Sequence, residues 1–99
     1  MLAEANLIAT LDKEQVNMIK RLSELEPHEV GQVIAIRGGA RFRQRLMAMG
    51  ITPGTNLVVR KFAPLGDPIE IRVRDYSLSI RRKDAFFILV KQIKNDSVS

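Results

Sequence analysis

Cysteine and tryptophan are both absent from this chain, and histidine and tyrosine each occur once. Without cysteine there is no disulfide framework, no thiolate metal site and no cysteine nucleophile. His28 has no Cys or second His with which to chelate a transition metal, and no triad partner with which to activate a hydroxyl. Glu29, Asp67, Glu70 and Asp75 could offer oxygens to a hard cation, but they are scattered without ligand spacing. Neither a metal, a cofactor nor a catalytic residue is therefore expected, and enzymatic function has little support. Four Phe and one Tyr are the whole aromatic complement. That is too little for a base-stacking surface or for the aromatic-lined groove that takes proline-rich peptides.

Long apolar runs are also missing. The longest, Ala85 to Val90, is far short of the roughly 20 residues a membrane-spanning helix needs. The N-terminus lacks the basic start, apolar run and small-residue cleavage site of a signal peptide, which predicts a cytoplasmic protein. Gly38-Gly39 is not accompanied by G-x-G-x-x-G or by P-loop spacing, so it reads as a turn rather than a phosphate cradle.

The 99 residues present, 45% of them hydrophobic, suit one small globular domain. Their charge is unevenly spread. Residues 1–36 hold six acidic and three basic side chains, whereas residues 37–83 hold eleven basic and three acidic, a local net charge of +8 within an overall +5. This central segment would favour an anionic partner, whether nucleic acid, a phospholipid headgroup or an acidic protein surface.

Along the chain, the spacing of Asp12 and Gln15 suits a weak capping box that would start a helix over residues 13–21, with a partly disordered extension or a functional start at Met18 as equal alternatives. Glu26-Pro27-His28-Glu29 is a turn signal, and the β-branched run Val30 to Ile36 reads as a strand with both faces at least partly covered. From Arg41 to Met49 the apolar residues Phe42, Leu46 and Met49 fall at i, i+4 and i+7. That spacing predicts a short helix with these three in the core and Arg41 and Arg45 outward. Gly50 suits its C-terminal cap. Thr52-Pro53-Gly54-Thr55 predicts a type II turn. A second strand follows over Leu57 to Phe62. Residues Ala63 to Pro68, with Pro64, Gly66, Asp67 and Pro68, make a loop, because proline cannot donate to a ladder. Ile69 to Arg74 alternates apolar and polar, and so do the residues around Leu78 and Ile80, with a tight hairpin turn placed at Asp75-Tyr76. One helical turn at Arg82 to Ala85, a last strand over Phe86 to Val90 and a polar tail complete the chain. About five short strands and one small helix predict a mainly β fold. The expected architecture is a small SH3-like barrel over residues 21–91, with an extension over 1–20 that could hold the extra helix and a tail over 92–99; an OB-type barrel, which usually needs longer strands than these, is the competing fold.

The stretch from Gly38 and Gly39 through RLMAMGITPG to APLGDPIEIRV resembles the FeoA family, small cytosolic proteins of bacterial ferrous-iron uptake. The resemblance implies an SH3-like barrel that works with FeoB, a membrane ferrous-iron transporter with a cytosolic GTP-binding domain, and would bring the protein to the inner face of the membrane through that partner. It carries over no catalytic residue and no obligatory metal. His28 and Asp75 stand where the family commonly has glycine, and Asp75 is expected to take a positive φ at modest cost. The expected partner-binding residues are Arg41, Arg45 and Met47, with Arg72 and Arg74 secondary and core packing an equal alternative for Met47. A basic nucleic-acid-binding or metal-responsive regulatory module is the competing function.

Overall fold

The computed structural model describes residues 18–93. Six strands form one antiparallel sheet: β1 (Ile19–Arg21), β2 (Val30–Ile36), β3 (Asn56–Phe62), β4 (Ile69–Val73), β5 (Tyr76–Ile80) and β6 (Ile88–Ile93). They are arranged in the order β1-β6-β2-β3-β4-β5. Two helices interrupt them, α1 (Ala40–Ala48) and the single turn α2 (Arg82–Ala85), and a 3-10 turn spans Leu22–Glu24. β2 and β3 are bent by register shifts, at Ile34 and Arg60. Such bulges increase local twist and let a sheet curl round a core. The result is the SH3-like architecture expected from the pattern of short strands.

The core is aliphatic. Alternation in β4 sends Ile69, Ile71 and Val73 inward, and Val33, Ile36, Leu57, Val59, Ile80, Ile88 and Val90 join them. Leu46 and Ile51 close the core from α1 and its exit, and Leu22 and Leu25 from the 3-10 turn. No aromatic ring is fully buried among the described residues. Phe42, Met49, Phe62 and Leu78 are only partly buried, packed against the outside of the cluster. Of the three helix residues expected in the core, Leu46 is therefore fully inside, while Phe42 and Met49 roof it.

The exit from α1 fixes how the helix meets the barrel. Gly50, with φ +91°, donates its N–H to Met47 O, and Ile51 donates to Leu46 O, both at 3.0 Å. This pair of bonds is a Schellman cap, and it brings together Leu46 and Ile51, the two residues whose apolar contact accompanies the motif. Tyr76 Oη on β5 donates to Met49 O, so the same turn is tied to the far edge of the sheet. The next turn also follows its sequence signal. Thr55 N donates to Thr52 O at 3.0 Å with Gly54 at φ +95°, as a type II turn requires.

Four local expectations are corrected. Residues Ile19–Arg21 are a strand paired with β6, not the end of a helix, because β6 offers them a free edge; the rest of that expected helix lies outside the described residues. The β4–β5 turn is Arg74-Asp75, one residue earlier than expected, with Val73 opposite Tyr76. The positive φ accordingly falls on Arg74 (+57°) rather than Asp75. The last strand begins at Ile88, since Phe86 and Phe87 complete the turn after α2: Phe87 N donates to Asp84 O at 3.0 Å.

Arg82 holds the loops below α2 together. Its guanidinium donates to Gly66 O and to Ser23 O, the latter at 3.0 Å, and lies 4.4 Å from the centre of the Phe62 ring. Its backbone N–H is accepted by Asp67 Oδ1 at 3.0 Å. Pro64, Gly66, Asp67 and Pro68 thus shape a loop that α2 grips.

Two stability outcomes follow from these contacts. Gly50→Ala should cost about 1–2 kcal/mol for the left-handed backbone alone. It should cost more because the new Cβ would collide with Tyr76 Oη. Arg82→Ala should cost about 2 kcal/mol through its lost charged hydrogen bonds. Thermal unfolding followed by circular dichroism should show both as lowered midpoints, and an unchanged midpoint for either would contradict the contact assigned.

Candidate functional site

The sequence-derived residues fall on two regions joined by the end of α1. On the helix, Arg41, Arg45 and Met47 all point outward, and Met47 is 50% exposed, which decides against core packing for it. Arg45 lies over the Phe42 ring at 5.5 Å and sits 3.8 Å from Asp84 Oδ2. An exposed pair of this kind stabilises little and leaves the guanidinium available. Gly39 caps the helix start and Gly38, at φ +100°, turns the chain into it.

A surface that the sequence pattern placed in the last strand adjoins this helix. Phe42 meets Phe87 edge to face with centroids 6.0 Å apart, and Phe87 meets Phe86 at 5.4 Å. Phe86 and Phe87 remain 45% and 42% exposed, and Arg21 stacks on Phe86 at 4.1 Å. Three phenylalanines edged by Arg21 and Arg45 thus form an apolar patch with a basic rim. The run Ala85 to Val90 hid it, because an unbroken apolar run reads as buried strand and its first two rings cannot be told from the rest by hydropathy.

The second region is the β4–β5 turn. Arg74, at the junction of two shallow grooves, lines both. One, of about 560 Å³, lies between the end of α1 (Ala48, Met49, Gly50) and β5 (Tyr76, Leu78). The other, of about 450 Å³, runs along β3 and includes Arg72. Arg72 and Arg74 are exposed and have no acidic partner among the described residues. They do not touch the α1 arginines; the groove at the helix end is what connects the two sets.

No group of three or more His, Cys, Asp or Glu that could hold a metal occurs among the described residues. No helix of the described residues is long and apolar enough to cross a membrane. His28, at φ +77° in the turn before β2, donates its backbone N–H to Val59 O, so its place is explained by the backbone. The class of protein defined by this fold and these surfaces is a small SH3-like module that presents basic and apolar faces.

Comparison with known proteins agrees. Residues 20–92 match the FeoA domain, and the chain belongs to the FeoA family. It is 38% identical over 79 residues to a Fe(2+) transport protein A/Fe(2+) transporter FeoB fusion protein of Porphyromonas gingivalis, a match covering 80% of this chain and 9% of that protein. The FeoA-like protein from Clostridium acetobutylicum superposes with a TM-score of 0.72 at 38% identity, over 79% of this chain and 91% of that one. A manganese-dependent transcriptional repressor superposes with a TM-score of 0.69, over 76% of this chain and 42% of that one, but at 16% identity, and so shares the fold alone.

Arg74 is under backbone strain, since a side chain at positive φ costs about 1–2 kcal/mol. Arg74→Gly should therefore raise stability by about 1 kcal/mol and the unfolding midpoint by roughly 4–8 °C. Differential scanning calorimetry decides: a lowered midpoint would mean that the arginine side chain makes a stabilising contact in place of strain.

Proposed function

We propose that this chain is a non-enzymatic accessory protein of ferrous-iron uptake that docks on a FeoB-type membrane transporter at its cytosolic side, close to the GTP-binding domain. The observation that carries this reading is the Porphyromonas gingivalis relative, in which a transport protein A part and a FeoB part share one chain. Covalent linkage raises effective concentration, and it suits partners that work in contact. The docking surface is the outer face of α1, with Arg41 and Arg45 supplying charge and Met47 an adaptable apolar contact. Phe86 and Phe87 extend it, as exposed aromatics beside arginine are the residue types that dominate protein interfaces. Arg72 and Arg74 form a secondary basic contact. The protein is cytoplasmic and is brought to the inner face of the membrane by this partner.

The net charge of +8 over residues 37–83 favours one other reading, a nucleic-acid-binding or regulatory module. Against it, the described residues hold one nine-residue helix and one four-residue helix, which do not make a helix-turn-helix pair. Phosphate attraction alone would fall steeply with salt.

Affinity capture of the tagged protein from gently solubilised membranes, with and without GTP, tests the proposal. The wild type should recover the transporter, and the double variant Arg41→Glu with Arg45→Glu should recover at least about tenfold less, as expected for interface arginines. Equal recovery by the two would remove α1 from the interface. Binding to duplex DNA that survives physiological salt would favour the regulatory reading.

A further inference from the structure

The sheet ends on β5, and β5 has no protection against a further strand. Its five residues, Tyr76–Ile80, carry no charge and no proline, and its pairing with β4 runs without a bulge. Charges, prolines and bulges are the usual devices that blunt an exposed edge. The opposite edge, β1, does carry them in Lys20 and Arg21.

The ladder determines which groups β5 offers. Val59 donates to Glu29 O at 3.0 Å and accepts from His28 N, so its backbone faces the β2 side. Alternation then turns Val58 toward β4, its partner Arg72 toward β3, and Val73 and Ile71 toward β5. Opposite them stand Tyr76 and Leu78, whose backbone groups are thereby used. Ser77 and Ser79 are left with N–H and C=O directed outward. No backbone hydrogen bond outside the β4 ladder is made by either residue among the described residues.

We propose that β5 pairs antiparallel with β5 of a second copy, forming a two-fold dimer by continuing the sheet. A two-fold contact needs a surface that complements itself. Placing Ser77 opposite Ser79 of the second copy, and the reverse, makes two narrow pairs that each exchange two hydrogen bonds. That register sets Leu78 against Leu78 and Tyr76 against Ile80. It also sets Asp75 against Arg81 at both ends, so that opposite charges meet where the strand stops. Arg81 is exposed, and neither it nor Asp75 has an ionic partner among the described residues. A register displaced by two residues loses this charge match. Leu78 and Tyr76 border the groove beside α1, so the two leucines meet at the mouth of that groove. Five residues a side bury less than the ~1,200 Å² of a durable interface, which puts the dissociation constant on the order of 0.1–1 mM.

Dilution of isotope-labelled protein, followed by amide NMR and by sedimentation velocity, tests this directly. The amides of Ser77 and Ser79 should shift with concentration while that of Leu78, bonded to β4, moves less. Asp75→Arg alone and Arg81→Asp alone should each weaken dimerisation at least about tenfold by opposing like charges. An equimolar mixture of the two variants should restore it, because each then supplies the charge that the other lacks. Arg41→Glu with Arg45→Glu should leave it unchanged, which separates this edge from the transporter-docking face. A monomer at all concentrations, shifts confined to other residues, or a mixture no tighter than the separate variants would each overturn the proposal.

Discussion

The Schellman cap at Gly50 is the constraint on which the arrangement of this protein depends. Two hydrogen bonds turn the chain back at the end of α1 and put Leu46 and Ile51 side by side in the core. The helix axis is thereby fixed against the barrel, and everything on its outer face is fixed with it. Arg41, Arg45 and Met47 face out because Leu46 faces in. The same turn brings Met49 O to the Tyr76 hydroxyl, so that the helix end, the β5 edge and the groove between them form one unit. A residue with a Cβ at position 50 would oppose the backbone conformation and the tyrosine at once.

The arginines divide by what they touch. Arg82 is consumed by the fold: two carbonyls and a ring surround it, and it joins the loop before β4 to the 3-10 turn near the N-terminal end of the domain. Arg21 and Arg45 lie on aromatic rings and edge an exposed apolar patch. Arg72 and Arg74 stand free at the rim of two grooves. One residue type thus performs a structural task, edges an exposed apolar patch and supplies bare charge, and nothing in local sequence separates the three. The core is aliphatic and leaves every aromatic of the described residues wholly or partly at the surface, with Phe42 and Phe62 packed against its outside and Phe86 and Phe87 about half exposed.

Much of the fold was legible because its signals are local. The spacing of Phe42, Leu46 and Met49 placed the helix, Pro53-Gly54 placed the type II turn, and alternation from Ile69 placed β4, each through the geometry of a few neighbouring residues. The resemblance of RLMAMGITPG and APLGDPIEIRV to the FeoA family added the architecture as a whole. The misplaced features were those that long-range pairing decides. Ile19–Arg21 is a strand because β6 lies beside it. The hairpin turns at Arg74 because Val73 pairs with Tyr76, and the cost of a strained arginine is outweighed by that register.

The sequence by itself determined a single small β domain with a basic middle and an apolar-faced helix ending at Gly50, since composition and short-range periodicity suffice for these. Only the tertiary structure decided which apolar residues stay in water and which backbone groups stay unpaired. Phe86 and Phe87 are exposed because the chain turns beneath them, and Ser77 and Ser79 face outward because the sheet stops at β5. Both outcomes depend on residues distant in the chain, and neither hydropathy nor spacing along one segment carries that information.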